Sequence, residues 1–285
     1  MTNVSKMLGV VCLAVISNVC VAAEDTSQYL DDGRIGEAMP ADDPSVFRVC
    51  APKDNMPFSD EKQEGFENKI AALIAKDLGE KLQYQFWYDR QGFYRNTLNA
   101  HRCDVVMGTA TATDMTLNSK PYYRSGYVFV YKKSSGYNIK DYDSPDLRKA
   151  KIGVVGESPP SRPLSDKGLL GNSRPYRLQR DLNLPPSFII DDLVKGDIDV
   201  AIVWGPIGGY FAKKAASDLV VVPAPEYGQL NPHGKEYWNI SIGVRKKDKA
   251  RIAMINGALE RRKDDINKIL DEYGIPHFPI VEEKN

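Results

Sequence analysis

Asp104-Val105-Val106-Met107-Gly108 is a short, continuous apolar run that starts on a charge and stops at glycine. Such a run reads as a strand covered on both faces, the kind that sits inside a parallel sheet. Towards the N-terminus, Phe93 to Ala100 is predicted as a short helix, and Leu82 to Trp87 alternates as a strand. Phe66, Ile70, Leu73, Ile74 and Leu78 fall at helical spacing, with Gly79 as the stop. Val46 to Ala51 is a further strand, followed by a loop from Pro52 to Asp60. The order βαβαβ predicts an α/β fold, a doubly wound layer with right-handed crossovers.

The second half repeats the rhythm. Lys151 to Gly156, Phe188 to Ile190, Asp199 to Trp204 and Leu219 to Pro223 are predicted strands, with a helix from about Gly208 to Ala216. The Pro-, Ser-, Gly- and Arg-rich stretch from Ser158 to Pro186 is predicted as a long loop. Tyr127 to Lys133 and Ile240 to Lys247 are alternating strands that run into basic stretches, and they read as matched crossings between two lobes. A last long helix, about Asp248 to Tyr273, returns to the first lobe. The expected organisation is lobe one at residues 46–131 plus 239–285 and lobe two at 132–238. A cleft lies between them at the carboxyl ends of the strands.

At the N-terminus, Lys6 is the sole charge before Glu24, Leu8 to Ile16 is a short apolar run, and Val21-Ala22-Ala23 supplies small residues. Residues 1–23 therefore read as a secretory signal whose apolar run is too short to span a bilayer. Residues 24–45 hold seven acids against Arg34 and read as an acidic, flexible leader. Loss of residues 1–23 leaves 37 basic against 38 acidic side chains. That balance gives no global pull towards nucleic acid or anionic membrane, and no later stretch is apolar enough to cross one. It also leaves Cys50 and Cys103, as one disulfide in an oxidising compartment or as two buried thiols.

Catalytic signatures are missing from the sequence. His101, His233 and His277 lack the spacing of zinc ligands, and neither a phosphate-binding P-loop nor a nucleophile elbow occurs. A non-catalytic chain without a cofactor or a metal is expected.

Several runs carry a family resemblance that covers roughly residues 46 to 275. They are Arg48-Val49-Cys50-Ala51, Pro57-Phe58-Ser59, Gly65-Phe66-Glu67-Asn68-Lys69-Ile70-Ala71, Cys103 to Gly108 and Pro121 to Tyr127. Together they resemble amino-acid-binding proteins of ABC importers, which implies a type II periplasmic-binding-protein fold and a periplasmic location. Arg90-Gln91-Gly92-Phe93-Tyr94-Arg95-Asn96-Thr97-Leu98, the Cys50 and Cys103 pair, and Trp204-Gly205-Pro206-Ile207-Gly208-Gly209-Tyr210 are similar to the quinoprotein-dehydrogenase-associated members. That narrower resemblance implies an accessory partner of a PQQ-dependent methanol dehydrogenase. The competing implication is a solute receptor of an importer, with a retuned ligand that is not an amino acid.

In such amino-acid binders, an Arg after a Ser/Thr-rich loop holds the ligand carboxylate through a bidentate contact. The loop survives here as Thr109-Ala110-Thr111-Ala112-Thr113, but Met115 stands where the Arg is expected. An Asp after the later buried strand usually holds the ammonium, and Trp204, followed by Gly205, stands there instead. Two missing charged hydrogen bonds, at about 1.5–3 kcal/mol each, would cost two to four decades of affinity. Arg90 and Arg124 are nearby substitutes for the lost Arg. Phe58 and Tyr123 are expected cleft aromatics, and Glu157-Ser158 a lobe-two loop that offers N–H groups to an anion. Tyr122-Tyr123-Arg124 and the Ser158 to Pro186 stretch have the composition that protein interfaces favour.

Overall fold

Phe66, Ile70 and Ile74, spaced four residues apart, are fully buried, and each contributes about 1.5–3 kcal/mol by leaving water. They cover Phe47 and Val49 of the first strand. The computed structural model describes residues 43–111, 113–177, 185–215, 218–228 and 234–282. The expected signal, most of the leader, and His233 lie outside these residues.

The elements of the first half are β1 (Val46–Pro52), β2 (Asp54–Asn55), β3 (Ser59–Asp60), α1 (Phe66–Leu78), β4 (Lys81–Trp87), α2 (Phe93–Asn96), β5 (Val105–Ala110), β6 (Leu117–Asn118) and β7 (Tyr123–Lys132). Then follow β8 (Ile152–Val155), α3 (Ser161–Asp166), β9 (Ser173–Tyr176), α4 (Phe188–Lys195), β10 (Val200–Trp204), α5 (Gly205–Lys214), β11 (Leu219–Pro223), β12 (Tyr237–Val244), α6 (Lys249–Arg261) and α7 (Lys263–Tyr273).

β1 lies between two parallel neighbours, β4 from Val46↔Lys81 to Pro52↔Trp87, and β5 through Val49↔Val105 and Cys50↔Val106. In the other half β8 is parallel to both β10 and β9. β7 joins the two halves. Its first part, Tyr123 to Gly126, pairs with β12, and from Tyr127 onward it pairs with β10. β11 flanks that second part from Val128. The change of partner thus falls between Gly126 and Tyr127, five residues before the expected boundary at 131. β12 leaves β7 at Ile240 and runs on along β5. The result is the expected two-lobed α/β fold with two crossing strands.

Four local expectations are corrected. Phe188 to Ile190 is the start of helix α4 and not a strand: Ile189, Ile190 and Leu193 make one buried helical face, and Gly196 ends it in the left-handed region. The strand expected there is β9, inside the predicted loop from Ser158 to Pro186. That stretch also holds α3 and a 3-10 turn at Leu170–Asn172. β9 has little apolar signal because it is an edge strand carrying Pro175, a residue only edges tolerate. α5 starts three residues early, with Pro206 in its first turn, where a missing N–H costs nothing. The last helix is two, broken at Arg262. Arg261, the last residue of α6, and Arg262, in the break, both reach Asp77 of α1, at 2.6 and 2.7 Å.

Two buried fastenings hold the first half. Cys50 and Cys103 form a disulfide, with Cα atoms 5.5 Å apart. Cys103 sits two residues before β5, so the link ties β1 to the turn entering β5 rather than matching strand ends. Beside it, Asp104 accepts from Arg48 at 2.8 and 3.0 Å and from Arg245 at 3.0 Å.

Candidate functional site

The cleft floor begins with the α1 N-terminus. Glu67 lies one turn before Ile70 and Ala71 on the buried helix face, so the helix period carries a carboxyl inwards. Its residue exposure is 5%. Gly108 of β5 has φ +67, and a Cβ there would collide with the Glu67 carboxyl, so this position needs glycine on both counts. The Gly108 N–H donates to the Tyr122 hydroxyl at 3.1 Å, which leaves the Tyr122 hydrogen to engage Glu67. Glu67 Oε1 has no hydrogen-bond partner. Burial, and then the charge of Asp89, push the Glu67 carboxyl up to about 8. Burial likewise pushes Tyr84 up to about 12, and Tyr122 and Tyr123 well above the usual phenol range.

Above this floor lies a cavity of about 690 Å³, within the range of small-molecule sites. Phe58, Glu67, Phe93, Tyr94, Met107, Gly108, Met115, Tyr123, Trp204, Trp238 and Ile240 line it, with Asp89, Arg90 and Arg95 at exposed positions around it. Six aromatic residues, Phe58, Phe93, Tyr94, Tyr123, Trp204 and Trp238, stand in the lining. Phe58 and Tyr123 both pack on Phe66, with ring centroids at 5.5 and 5.8 Å. The Arg90 to Asn99 wall is held from behind by the disulfide, since Cys50, Cys103, Phe93, Leu98 and Val106 form one buried cluster.

The expected site residues divide. Phe58, Met115, Tyr123 and Trp204 line the cavity. Met115 is 55% exposed. Trp204 ends β10 and packs edge-on to Tyr127 at 5.6 Å. Arg90 lines the cavity as well, its guanidinium 4.4 Å over the Tyr88 ring.

The other expected residues lie elsewhere. Thr109 is buried with its hydroxyl 3.3 Å from that of Tyr94. Thr111 hydrogen-bonds the Asn239 carbonyl and Ser241 at 3.0 and 2.7 Å, and lines a separate recess under the chain from His277 to Glu282. Arg124 is buried in the crossing strand, bound to Glu226 at 2.5 Å and lying 5.3 Å from the Tyr237 ring centroid. The Tyr122-Tyr123-Arg124 run is buried throughout and presents no interface. Glu157 is exposed with φ +60, and Ser158 is buried with its hydroxyl donating to the Val155 carbonyl at 2.6 Å. Neither lines the cavity. Gly205 fits tightly against β7: a Cβ would stand 2.5 Å from the Gly126 carbonyl oxygen.

Glu67 is the residue missed from sequence. An acid in a first helical turn reads as a partner of the helix dipole. The signal that separates the two roles is its register with Ile70, Ala71 and Ile74.

Among the described residues no group of His, Cys, Asp and Glu is arranged to hold a metal ion, and no helix is long and apolar enough to cross a membrane.

Comparison with known proteins narrows the identity. The chain is 29% identical over 282 residues to protein MoxJ of Methylorubrum extorquens AM1, covering 94% of this chain and 93% of the relative. It is similar in structure to the periplasmic binding protein XoxJ of Methylobacterium extorquens AM1, with 37% identity, a TM-score of 0.69, and coverage of 82% of this chain and all of the other. MxaJ of Methylophaga aminisulfidivorans aligns with a TM-score of 0.73 at 28% identity, again over 82% of this chain and all of the other. The family model for bacterial extracellular solute-binding proteins, family 3, matches residues 47–276, and the chain belongs to that family.

Proposed function

We propose that this chain is a non-catalytic periplasmic accessory protein of a PQQ-dependent methanol dehydrogenase system, which binds the dehydrogenase or assists its maturation. One observation supports the reading: Met115, which the family resemblance puts where the carboxylate-binding Arg is expected, lines the cleft and is open to solvent, while the fold around the cleft is kept. A receptor that delivers amino acids needs that charge, whereas a protein used for its surface does not. The likeness to MoxJ, XoxJ and MxaJ supports the same system, and XoxJ is itself described as periplasmic.

The lobe-two edge is the proposed contact. β9 ends the sheet there, and Leu170 on the preceding turn is 51% exposed. Shortening this stretch is not a clean test, because Leu164 and Leu169 are core residues. Leu170→Ser changes the surface alone. The test is a clean deletion strain complemented with the full-length gene or with L170S, scored as dehydrogenase activity per unit of dehydrogenase protein. The deletion is expected to lower that ratio, the full gene to restore it, and L170S to restore it in part. Normal activity in the deletion, under conditions where the dehydrogenase carries growth on methanol, would overturn the proposal.

A further inference from the structure

We infer that the cleft floor is a site for a small organic ammonium ion without a carboxylate, with Glu67 taking the ammonium and the aromatic walls enclosing the organic part. This goes beyond the accessory role and stands apart from it.

The geometry supplies both halves of such a site. Glu67 lines the cavity, is almost wholly buried, and keeps Oε1 without a partner. A buried polar atom in that state costs free energy until a donor reaches it. Phe58, Tyr94, Tyr123, Trp204 and Trp238 face the same space, and ring faces attract a cation once water is excluded. Met115 supplies no cation at the position where the family resemblance expects one. The cations of the lining, Arg90 and Arg95, stand at exposed positions, so an amine without a carboxylate suits the buried floor better than an amino acid does. Asp89, Arg90 and Arg95 line the cavity at exposed positions, whereas the Glu67 carboxyl is buried.

Binding requires the charged carboxylate. The groups that face Glu67 are Asp89, Tyr84, Tyr94, Tyr122 and Tyr123, none of them a cation. In the empty cleft the carboxyl therefore keeps its proton to about pH 8. As the ammonium binds, the Glu67 O–H bond breaks, the proton passes to solvent, and the carboxylate pairs with the ligand.

The probe is 2-phenylethylammonium, with 2-phenylethanol as its neutral counterpart. A primary amine of this kind, like that of Lys, stays charged to about pH 10. Binding to the mature chain is read by fluorescence, since Trp204 and Trp238 line the cavity, and by calorimetry in two buffers of different protonation enthalpy. The ammonium is expected to bind about tenfold more weakly at pH 7 than at pH 9, releasing close to one proton per ligand at pH 7. The alcohol is expected to show neither effect. Glu67→Gln is expected to weaken the ammonium at least tenfold at pH 9 and leave the alcohol unchanged. Equal ammonium affinity for wild type and E67Q, a flat pH profile without proton release, or no ammonium binding at millimolar concentration would each overturn the inference. If E67Q does not fold, the wild-type pH profile and proton count decide.

Discussion

The two walls of the cleft are unlike. The first-lobe side carries the buried acid, four of the six aromatic lining residues (Phe58, Phe93, Tyr94 and Tyr123) and a disulfide behind it. Lobe two, taken as residues 132–238, contributes Trp204 and Trp238 among the described lining residues. A ligand closes two lobes only by gaining contacts with both. Here most of the lining, and its one buried acid, falls on the first-lobe side, so a ligand's hold on lobe two rests on the two tryptophans. That leaves the rest of lobe two, with its exposed edge, to serve another partner.

The largest test of this asymmetry is the disulfide. Replacing Cys50 and Cys103 by Ser opens a link across 53 residues, worth about 4 kcal/mol in the chain-entropy model. Denaturant unfolding of the double variant is expected to show a loss of that order, with the Arg90 to Asn99 wall losing amide-exchange protection first. A loss below about 1 kcal/mol would mean that packing alone holds this wall.

A smaller effect belongs to Glu67. Its carboxyl titrates near 4.5 when exposed and near 8 in the fold, so the folded state binds the proton more tightly. Stability is full below pH 4.5 and falls by about 1.4 kcal/mol per pH unit up to about pH 8. Between pH 6 and pH 8 the wild type is expected to lose about 2 kcal/mol relative to E67Q, measured by denaturant melts at each pH. Parallel pH curves would place the Glu67 carboxyl in a wet or well-paired setting.

The smallest effect lies on the other side of the crossing strands. Glu226 is 60% exposed, so its pair with Arg124 is screened by water. Glu226→Gln is expected to change stability by less than about 1 kcal/mol. A loss above 2 kcal/mol would make that pair a structural clamp between the halves.

Legibility in the sequence follows the same division. β1, α1, β4 and β5 announce themselves because the buried strands β1 and β5 are largely apolar runs, β4 alternates, and α1 has a clean helical period. β9 does not, because Ser173-Arg174-Pro175-Tyr176 pairs on one side only and needs no apolar face. Phe188 to Ile190 is too short to show its period, and only Leu193 and Gly196 beyond it reveal a helix. At the site, Met115 and Trp204 were found as departures from a family pattern. Arg124 was misplaced because an Arg beside two tyrosines has the composition of a surface. Thr109 and Thr111 point away from the cavity because their hydroxyls satisfy neighbouring groups, a fact about pairing that linear spacing does not carry.

The central claim, an accessory of the dehydrogenase and not an amino-acid receptor, is tested most directly by binding in solution. The mature chain is mixed with methanol dehydrogenase purified from the same periplasm and followed by sedimentation velocity, with thermal melts against the twenty amino acids alongside. The expected result is a complex at micromolar concentration, weakened by L170S, and twenty flat melting curves. At 100 times Kd an amino acid would add about 2.7 kcal/mol of stability, so its binding would not be missed. No complex with the dehydrogenase, together with a raised melting temperature for any amino acid, would contradict the claim.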